Sequence, residues 1–584
     1  MGESMAIIGI DLGTTNSLAS VWRNGKIELI PNSFGEYLTP SVVSFGDDGE
    51  VFVGKIAKEM LITNPKVTFS EFKRNMGTDY QYTVGKKSYR AEELSAFVLR
   101  RLKEDAEKYL GEPVAEAIIS VPAYFNDDKR CATKNAGKLA GLKVERLINE
   151  PSAVALKHHE ETGEPEDFII FDFGGGTLDV SLVEAFDNMV EIQAVAGDNY
   201  LGGKDFNEII AENFYKENNI SQLLLPKEEQ GLILKEAEEL KKELSDRNEA
   251  SRIVRIQNAE YTMHMTNQKL IHLSADLFKR MTQPLRKVIN DANLELEGLD
   301  KIILVGGSSK MPIVRQYIKS LFEADVVLDN NPDESIALGV GIAAAIKSRT
   351  GDIKDMILAD ICPFSLGTAI YDGSFSPIIE RNETLPCSRT KYYVTVNNNQ
   401  TELEFPIYQG ENLMAKDNLL IGKMRLDGLP KAPKGEVGAY VTFIYDINGI
   451  LDIKIVGANQ TVHKVIMNKN MGLSEEELKQ KVEELKKMTL HPLEKEENRL
   501  LIEKAERLYM ESPPQVREIL IYLLRRFKDV VSNGRGKEVR EEYVRFAAYL
   551  DRIEHNQFDF GEFDESFWSE EDDNEERNVG IIGN

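Results

Sequence analysis

The apolar positions of this chain fall into three successive textures. Up to about residue 350, short apolar runs alternate with longer segments whose apolar residues recur every three or four positions. Residues 6–21 (AIIGIDLGTTNSLASV) read as an apolar strand, an aspartate, a Gly/Thr turn and a second strand. Residues 168–183 (FIIFDFGGGTLDVSLV) repeat that unit about 160 residues later. A third glycine turn, ILVGGSSKMP at 303–312, follows another strand pattern. Residues 91–110, 227–245 and 333–347 carry helical spacing between these turns. Alternating strands and helices predict an α/β architecture of two related lobes, able to clamp a ligand between the repeated turns.

The texture changes after residue 350. Residues 351–360 (GDIKDMILAD) are a short apolar stretch flanked by charge and read as a linker. Residues 361–460 hold short alternating strands with turn signals at Tyr371-Asp-Gly, Asn397-Asn-Asn, Asp427-Gly and Asn448-Gly, the pattern of an antiparallel β-domain. From Leu473 the pattern is helical. Ser474 with Glu477 forms a capping box, and helical spacing runs to about residue 555, broken at Pro492, Pro513-Pro514 and Asn533-Gly. The division expected is 1–350, a linker at 351–360, an antiparallel β-domain at 361–470, a short helical region at 471–556 and an acidic disordered tail at 557–584.

Composition narrows the function classes. A chain of 584 residues is too long for one core. Net charge is −26, which gives no general attraction to nucleic acid or to anionic membranes. Much of the excess lies between Asp559 and Glu576, where Phe560, Phe563, Phe567 and Trp568 interrupt the acids as a docking motif would. No run approaches the roughly 20 apolar residues of a membrane span, and the first residues have no signal-peptide pattern. Cys131, Cys362 and Cys387 have no paired spacing, which fits packing residues in a reducing cytoplasm.

The turns carry the chemistry. Phosphate is best held by backbone N–H groups and hydroxyls that no side chain obstructs, so glycine and threonine suit a phosphate loop. Asp11-Leu-Gly13-Thr14-Thr15 and Asp172-Phe-Gly174-Gly175-Gly176-Thr177 both offer this, each with a carboxylate placed to hold hydrated Mg²⁺. Two matched copies and a third Gly-Gly turn point to ATP. The P-loop pattern GxxxxGK[ST] is absent from the sequence.

The ordered segments IGIDLGTTNS, FKRNMG, SVPAYFNDDKRCATKNAGKLAGL, INEPSAVAL, FDFGGGTLDVS, GDNYLGGKDF, ILVGGSSKMP, NPDESIALG, CPFSLGTAI, YQGEN, LDGLP and GLSEEEL resemble the DnaK-type, or 70-kilodalton heat-shock, chaperones. The likeness covers about residues 6–490. It implies an actin-like ATPase, a β-sandwich that binds extended client peptides and a helical lid, with ATP/ADP, Mg²⁺ and K⁺ as cofactors. It further implies a J-domain co-chaperone and a nucleotide exchange factor as partners. By that resemblance Gly13, Thr14, Thr15, Asn16, Gly174, Gly175, Gly176, Thr177, Gly202 and Gly203 surround the phosphates. Lys73, Glu150, Asp172 and Thr177 are the catalytic set. Asp11, Asp172 and Asp179 stand by the metal ions. Glu238, Lys241, Lys242, Ser245, Gly306, Gly307, Ser308, Lys310 and Asp333 form the adenosine side.

Some positions depart from the family pattern. Lys242 and Lys310 stand where relatives have arginines that stack on adenine, and lysine stacks less well, so weaker nucleotide affinity is expected. Lys204 makes GGKD of the usual GGED. The short segment after Lys73, with residues 491–509, resembles the bacterial HscC branch. The resemblance puts Thr368, Ile370, Tyr371, Tyr393, Val396, Leu403 and Phe405 around the peptide groove, with Tyr371 and Val396 as an arch over it. Val394 reads instead as core. Ile357 and Leu358 fall in the docking linker, Pro122 and Arg130 in the relay to the peptide site, and Arg146 in a contact to linker or J-domain. The final residues lack the EEVD ending of cytosolic eukaryotic members, as expected of a specialised bacterial one. A sugar-type kinase or a polymerising actin-like protein would leave residues 361–460 unused. A nucleotide-sensing scaffold for one dedicated partner is the alternative that accounts for them.

Overall fold

The computed structural model describes residues 6–46, 49–256, 259–294, 298–349, 352–457, 461–465, 475–488, 490–491, 496–533 and 536–555. Both repeated units fold as β-hairpins. Ala6–Leu12 pairs antiparallel with Asn16–Arg23, Asp11 opposite Leu18. Glu166–Phe173 pairs antiparallel with Leu178–Phe186, Asp172 opposite Asp179. Each hairpin gains a parallel neighbour on its first strand, Val114–Val121 in the first sheet and Lys301–Val305 in the second. The sheets are therefore mixed, and their central strands are covered on both faces, as the unbroken run Phe168–Phe171 requires.

The predicted helices form at Ala91–Leu110, Lys227–Glu243 and Ser335–Ser348. The last lies so close to the first sheet and to helix Glu150–Thr162 that a methyl at Gly339 would strike the Ala153 carbonyl, and one at Gly9 the Val340–Gly341 backbone. Glycine at both positions permits this close backbone approach.

Residues 361–465 form two four-stranded antiparallel sheets. One has the order Phe375–Ile379, Leu366–Ala369, Leu403–Gln409, Leu419–Leu426, and the other Cys387–Val394, Gly438–Tyr445, Leu451–Gly457, Thr461–Val465. Their shared core includes Leu366, Phe405, Ile407, Val441, Phe443, Tyr445 and Ile453. Val394 departs from expectation: it is 40% exposed, because strand alternation turns it outward with Tyr392.

The linker is ordered. Ile357–Ala359 adds a sixth, parallel strand beside Met189–Asp198, with Val190 opposite Leu358. Helix Glu475–Lys486 packs on lobe one, where Leu478 and Leu485 join its core and Lys481 pairs with Glu93 at 3.0 Å. Ser474 and the acidic tail lie outside the described residues.

A second unit spans residues 494–584. Its described helices, Glu496–Glu511, Pro514–Asn533 and Gly536–Glu554, break near the predicted prolines and glycine and enclose Leu508, Leu520, Leu523, Phe527, Phe546 and Leu550. Among the described residues no helix is long and apolar enough to cross a membrane.

Candidate functional site

The three glycine turns converge. A methyl on Gly175 would collide with the Thr15 hydroxyl, so the two hairpin turns face one another. The first turn is held from behind: Ser41 donates from its backbone N to the Thr15 carbonyl and from its hydroxyl to the Gly13 carbonyl, both at 2.8 Å. The second is held from below, where Gly203 N donates to the Gly174 carbonyl and Lys204 N to the Gly175 carbonyl, both at 3.0 Å. Ser308 Oγ also reaches the Gly174 carbonyl, at 2.9 Å. Gly306, at φ 81°, lies against Asp172 and the Phe173 carbonyl, where a Cβ would find an atom 2.5 Å away. These carbonyls are occupied behind the turns, which leaves the N–H side of the loops for an anion.

Four carboxylates line the floor. Asp11 accepts a 2.6 Å hydrogen bond from Ser120 Oγ. Glu150 forms a 2.7 Å ion pair with Lys73, both side chains 6% exposed. Burial, with Glu150 beside it, pushes Asp11 up to about 6 against the opposing pull of Lys73. Burial and the Glu150 charge push Asp179 up to about 7, and burial and its acidic neighbours raise Asp172 well above the ordinary range. Like charges opposite each other in a hairpin are unfavourable, and Asp172 faces Asp179 across this one. Neither oxygen of Asp179 has a well-formed hydrogen bond. Among the described residues Lys73 alone is ion-paired with these acids, and although Lys129 and Arg130 also act on Asp179 the carboxyls stay raised, so the floor is short of positive charge.

A hydrated divalent ion bearing phosphate oxygens would supply that charge, and so this donor set fits Mg²⁺. Among the described residues, no group of three His, Cys, Asp or Glu side chains is placed to hold a bare metal ion. Water and phosphate would have to complete the shell.

On the far side, Lys241 donates to the Gly203 carbonyl at 2.9 Å, and burial pushes its ammonium down to about 8. Glu238 and Lys241 sit on helix Lys227–Glu243, whereas Ser245 lies just past its end in a turn that bonds Lys242. Gly307 approaches Asp333, which pairs with Lys310. Lys242 is drawn to Glu238 and Glu239, each at 2.8 Å. Both departing lysines thus hold acidic partners on their own lobe. Sequence reasoning missed Arg74, whose Nη2 donates to the Gly176 carbonyl at 3.0 Å, and the Phe125 ring 5.7 Å from the Lys73 ammonium. Adjacency to Lys73 was the available signal for Arg74.

The relay residues connect two domains. Arg130 donates to the carbonyls of Phe125 (2.9 Å) and Ala123 (3.0 Å), to Asn149 Oδ1 (2.8 Å) and, across to the β-sandwich, to the Asn448 carbonyl (3.4 Å). Pro122 accepts from Phe125 N at 3.0 Å. Asp360 in the linker accepts from Asn149 and Ser152 at 2.8 and 2.9 Å, and its charge faces the half-buried Arg146. Ile357 is 59% exposed while Leu358 turns toward the second sheet's core.

The groove residues divide. Thr368, Leu403 and Phe405 are buried, and Thr368 donates to the Pro406 carbonyl at 2.9 Å. Tyr393 packs on Phe405 and shares a 3.0 Å hydrogen bond with Ser376. Ile370 is half-buried, Tyr371 is 83% exposed, and Val396 is exposed. Leu413, 80% exposed beside the Tyr371 loop, was not singled out from the sequence. Its carbonyl accepts from Phe375 N at 2.8 Å, a pairing of distant segments.

Fold and cleft define a two-lobed nucleotide-dependent enzyme joined to a β-sandwich. The family model described as Hsp70 protein matches residues 7–87 and 81–519, so the chain belongs to the Hsp70 family. The proteins named chaperone protein DnaK from Thermotoga neapolitana, Thermotoga petrophila and Thermotoga maritima are each 40% identical over 500 residues, 82% of this chain and 83% of theirs. Membership makes this an ATP-dependent molecular chaperone and an ATPase that binds ATP and ADP with Mg²⁺.

Proposed function

We propose that ATP binds between the Thr14–Thr15 and Gly174–Thr177 turns, and that its hydrolysis controls capture and release of extended apolar peptide by the β-sandwich. The convergence of Thr15 on Gly175, over a floor of one lysine and four acids, carries this reading. Mg²⁺ near Asp11, Asp172 and Asp179 would neutralise charge that builds on the phosphates. Lys73, held by Glu150, directs its ammonium toward the attacking water and the γ-phosphate. Glu150 and Asp172 orient that water, and the Thr177 hydroxyl and the loop N–H groups fix the phosphoryl group. K⁺ would sit near Thr177 and Asp179.

The linker strand, Arg130–Asn448 and the Phe364 ring, tilted against Tyr124 with centroids 4.4 Å apart, join the ATPase to the β-sandwich in one docked arrangement. We assign that arrangement to the ATP state. By linkage, ATP that favours it lowers peptide affinity, and peptide disfavours it. Tyr371, Val396 and Leu413 frame the groove, Ile370 and Tyr393 line it, and buried Thr368, Leu403 and Phe405 support it. A J-domain protein that reads Arg146 and the linker, a nucleotide exchange factor and unfolded clients in the cytoplasm complete the cycle.

The test is dissociation of a labelled apolar peptide under ATP and under ADP, for wild type and Lys73→Ala. ATP-accelerated release in both, with hydrolysis lost only in the variant, is expected. Release indifferent to nucleotide would favour a dedicated scaffold.

A further inference from the structure

Glu71 and Lys204 form an ion pair that crosses the nucleotide cleft. Glu71 precedes the short turn Phe72–Asn75 that carries Lys73, and Lys204 lies in the first turn of helix Gly203–Glu217 in the opposite lobe. Both ends of this pair are tied to phosphate-facing backbone. Lys204 N donates to the Gly175 carbonyl at 3.0 Å, and the Glu71 carbonyl accepts from Arg74 N at 3.1 Å. Arg74 in turn donates to the Gly176 carbonyl. Two contacts across the cleft therefore flank Lys73, one on each side.

The backbone of Glu71 adopts φ 58°, a left-handed conformation that costs a residue with a side chain and suits glycine or asparagine better. A glutamate persists there although its carboxylate is 31% exposed and has little burial to gain. What the position gains is reach: its carboxylate meets the lysine that makes this chain GGKD.

We propose that Glu71 and Lys204 are a pair of positioning residues, a clasp that closes the phosphate end of the cleft and holds the Lys73 turn against the Gly174–Thr177 turn. This rests on the assignment of phosphate to those turns made above. Neither residue touches the reacting atoms; both act through the placement of Lys73 and Arg74. The two side chains are 28% and 31% exposed, so the clasp is open to screening by salt.

Single-turnover ATP hydrolysis by the full chain tests the clasp, at about 20 mM and about 500 mM salt. Glu71→Lys and Lys204→Glu each place like charges across the cleft and should slow hydrolysis roughly 3- to 10-fold at low salt while ATP affinity holds. The double exchange Glu71→Lys/Lys204→Glu restores the opposite charges and should return the rate to within about twofold of wild type. The wild-type rate should fall at high salt, whereas Lys204→Gln should be insensitive. Should a reversed-charge variant fail to fold, the cycle of Glu71→Gln, Lys204→Gln and their double reads the same coupling. Singles that match wild type, or a double no better than the worse single, would overturn the clasp. Lys73→Ala separates the two claims: if it still hydrolyses ATP, the phosphate assignment is what has failed.

Discussion

Asp127 offers a pH-dependent handle on interdomain docking. Its carboxyl is 2% exposed and lies where the ATPase meets the β-sandwich, accepting from Tyr445 Oη and Leu451 N, both at 3.2 Å. Burial pushes it up to about 7 from an ordinary 3.8, with Arg130 pulling the other way and Asp128 adding to the rise. Tyr445, Cys362 and Cys131, which also face it, are all raised by burial and stay neutral through this range. A group whose buried pKa is raised binds its proton more tightly in the docked state, so docking is favoured at low pH and loses that contribution as pH climbs from the ordinary 3.8 to about 7, above which both states are ionised and the ratio levels off. Within that window each pH unit costs about 1.4 kcal/mol, a tenfold drop in the docked-to-undocked ratio between about pH 5 and about pH 6. Energy transfer between dyes on the ATPase and on the β-sandwich, in ATP, would report the ratio from about pH 5 to about pH 8, falling up to about 7 and flat beyond it. Asp127→Asn keeps the shape and an acceptor for the Leu451 N–H but cannot ionise, so its profile should be flat. An equal slope in variant and wild type would refute this account, as would a wild type that docks better at high pH.

Three further outcomes are expected. Lys242→Arg with Lys310→Arg should tighten ATP binding by roughly 3- to 10-fold through better stacking, measured by titration calorimetry, and unchanged affinity would remove these lysines from the adenosine side. Tyr371→Ala should speed both association and dissociation of a bound peptide by roughly tenfold if the exposed ring arches over the groove, where each 1.4 kcal/mol lost is a factor of ten; peptide kinetics like wild type would dismiss the arch. Phe527 is fully buried and stacks on Phe546 at 4.6 Å, so Phe527→Ala should destabilise the helical unit by about 3–5 kcal/mol, seen as an early urea transition with ATP hydrolysis retained.

The hairpins and the long helices were legible because their signals are local. Residues 6–21 and 168–183 alternate strand, turn and strand within one stretch, and Ala91–Leu110 carries its own periodicity and ends at Gly111 with φ 74°. Lys73, Glu150 and the glycine turns came from an ordered set of motifs, and the structure brings them together. What stayed hidden depends on pairing between distant segments. Ile357–Ala359 reads as a docking linker, but that it docks as a parallel strand on Met189–Asp198 appears only once that strand's edge is in place. Glu71 carries no motif, and its role emerges only when Lys204 arrives from the other lobe. Val394 was misjudged because an apolar residue on a strand is assigned to a face by its register, which the sequence alone leaves open.

The linker strand has a consequence beyond communication. Met189–Asp198 is the outermost long strand of its sheet, and among the described residues Ile357–Ala359 is the one strand paired on its outer side, along Met189, Val190 and Glu191. A bare rim of that kind is a template for any other extended chain. In the proposed cycle, lifting the linker away would trade a guarded edge for an adhesive one and leave the half-exposed Ile357 and Leu358 sticky in their own right. A protein that handles other proteins' exposed segments must therefore keep its own undocked interval brief or covered, and a three-residue strand, cheap to peel and quick to replace, suits that requirement.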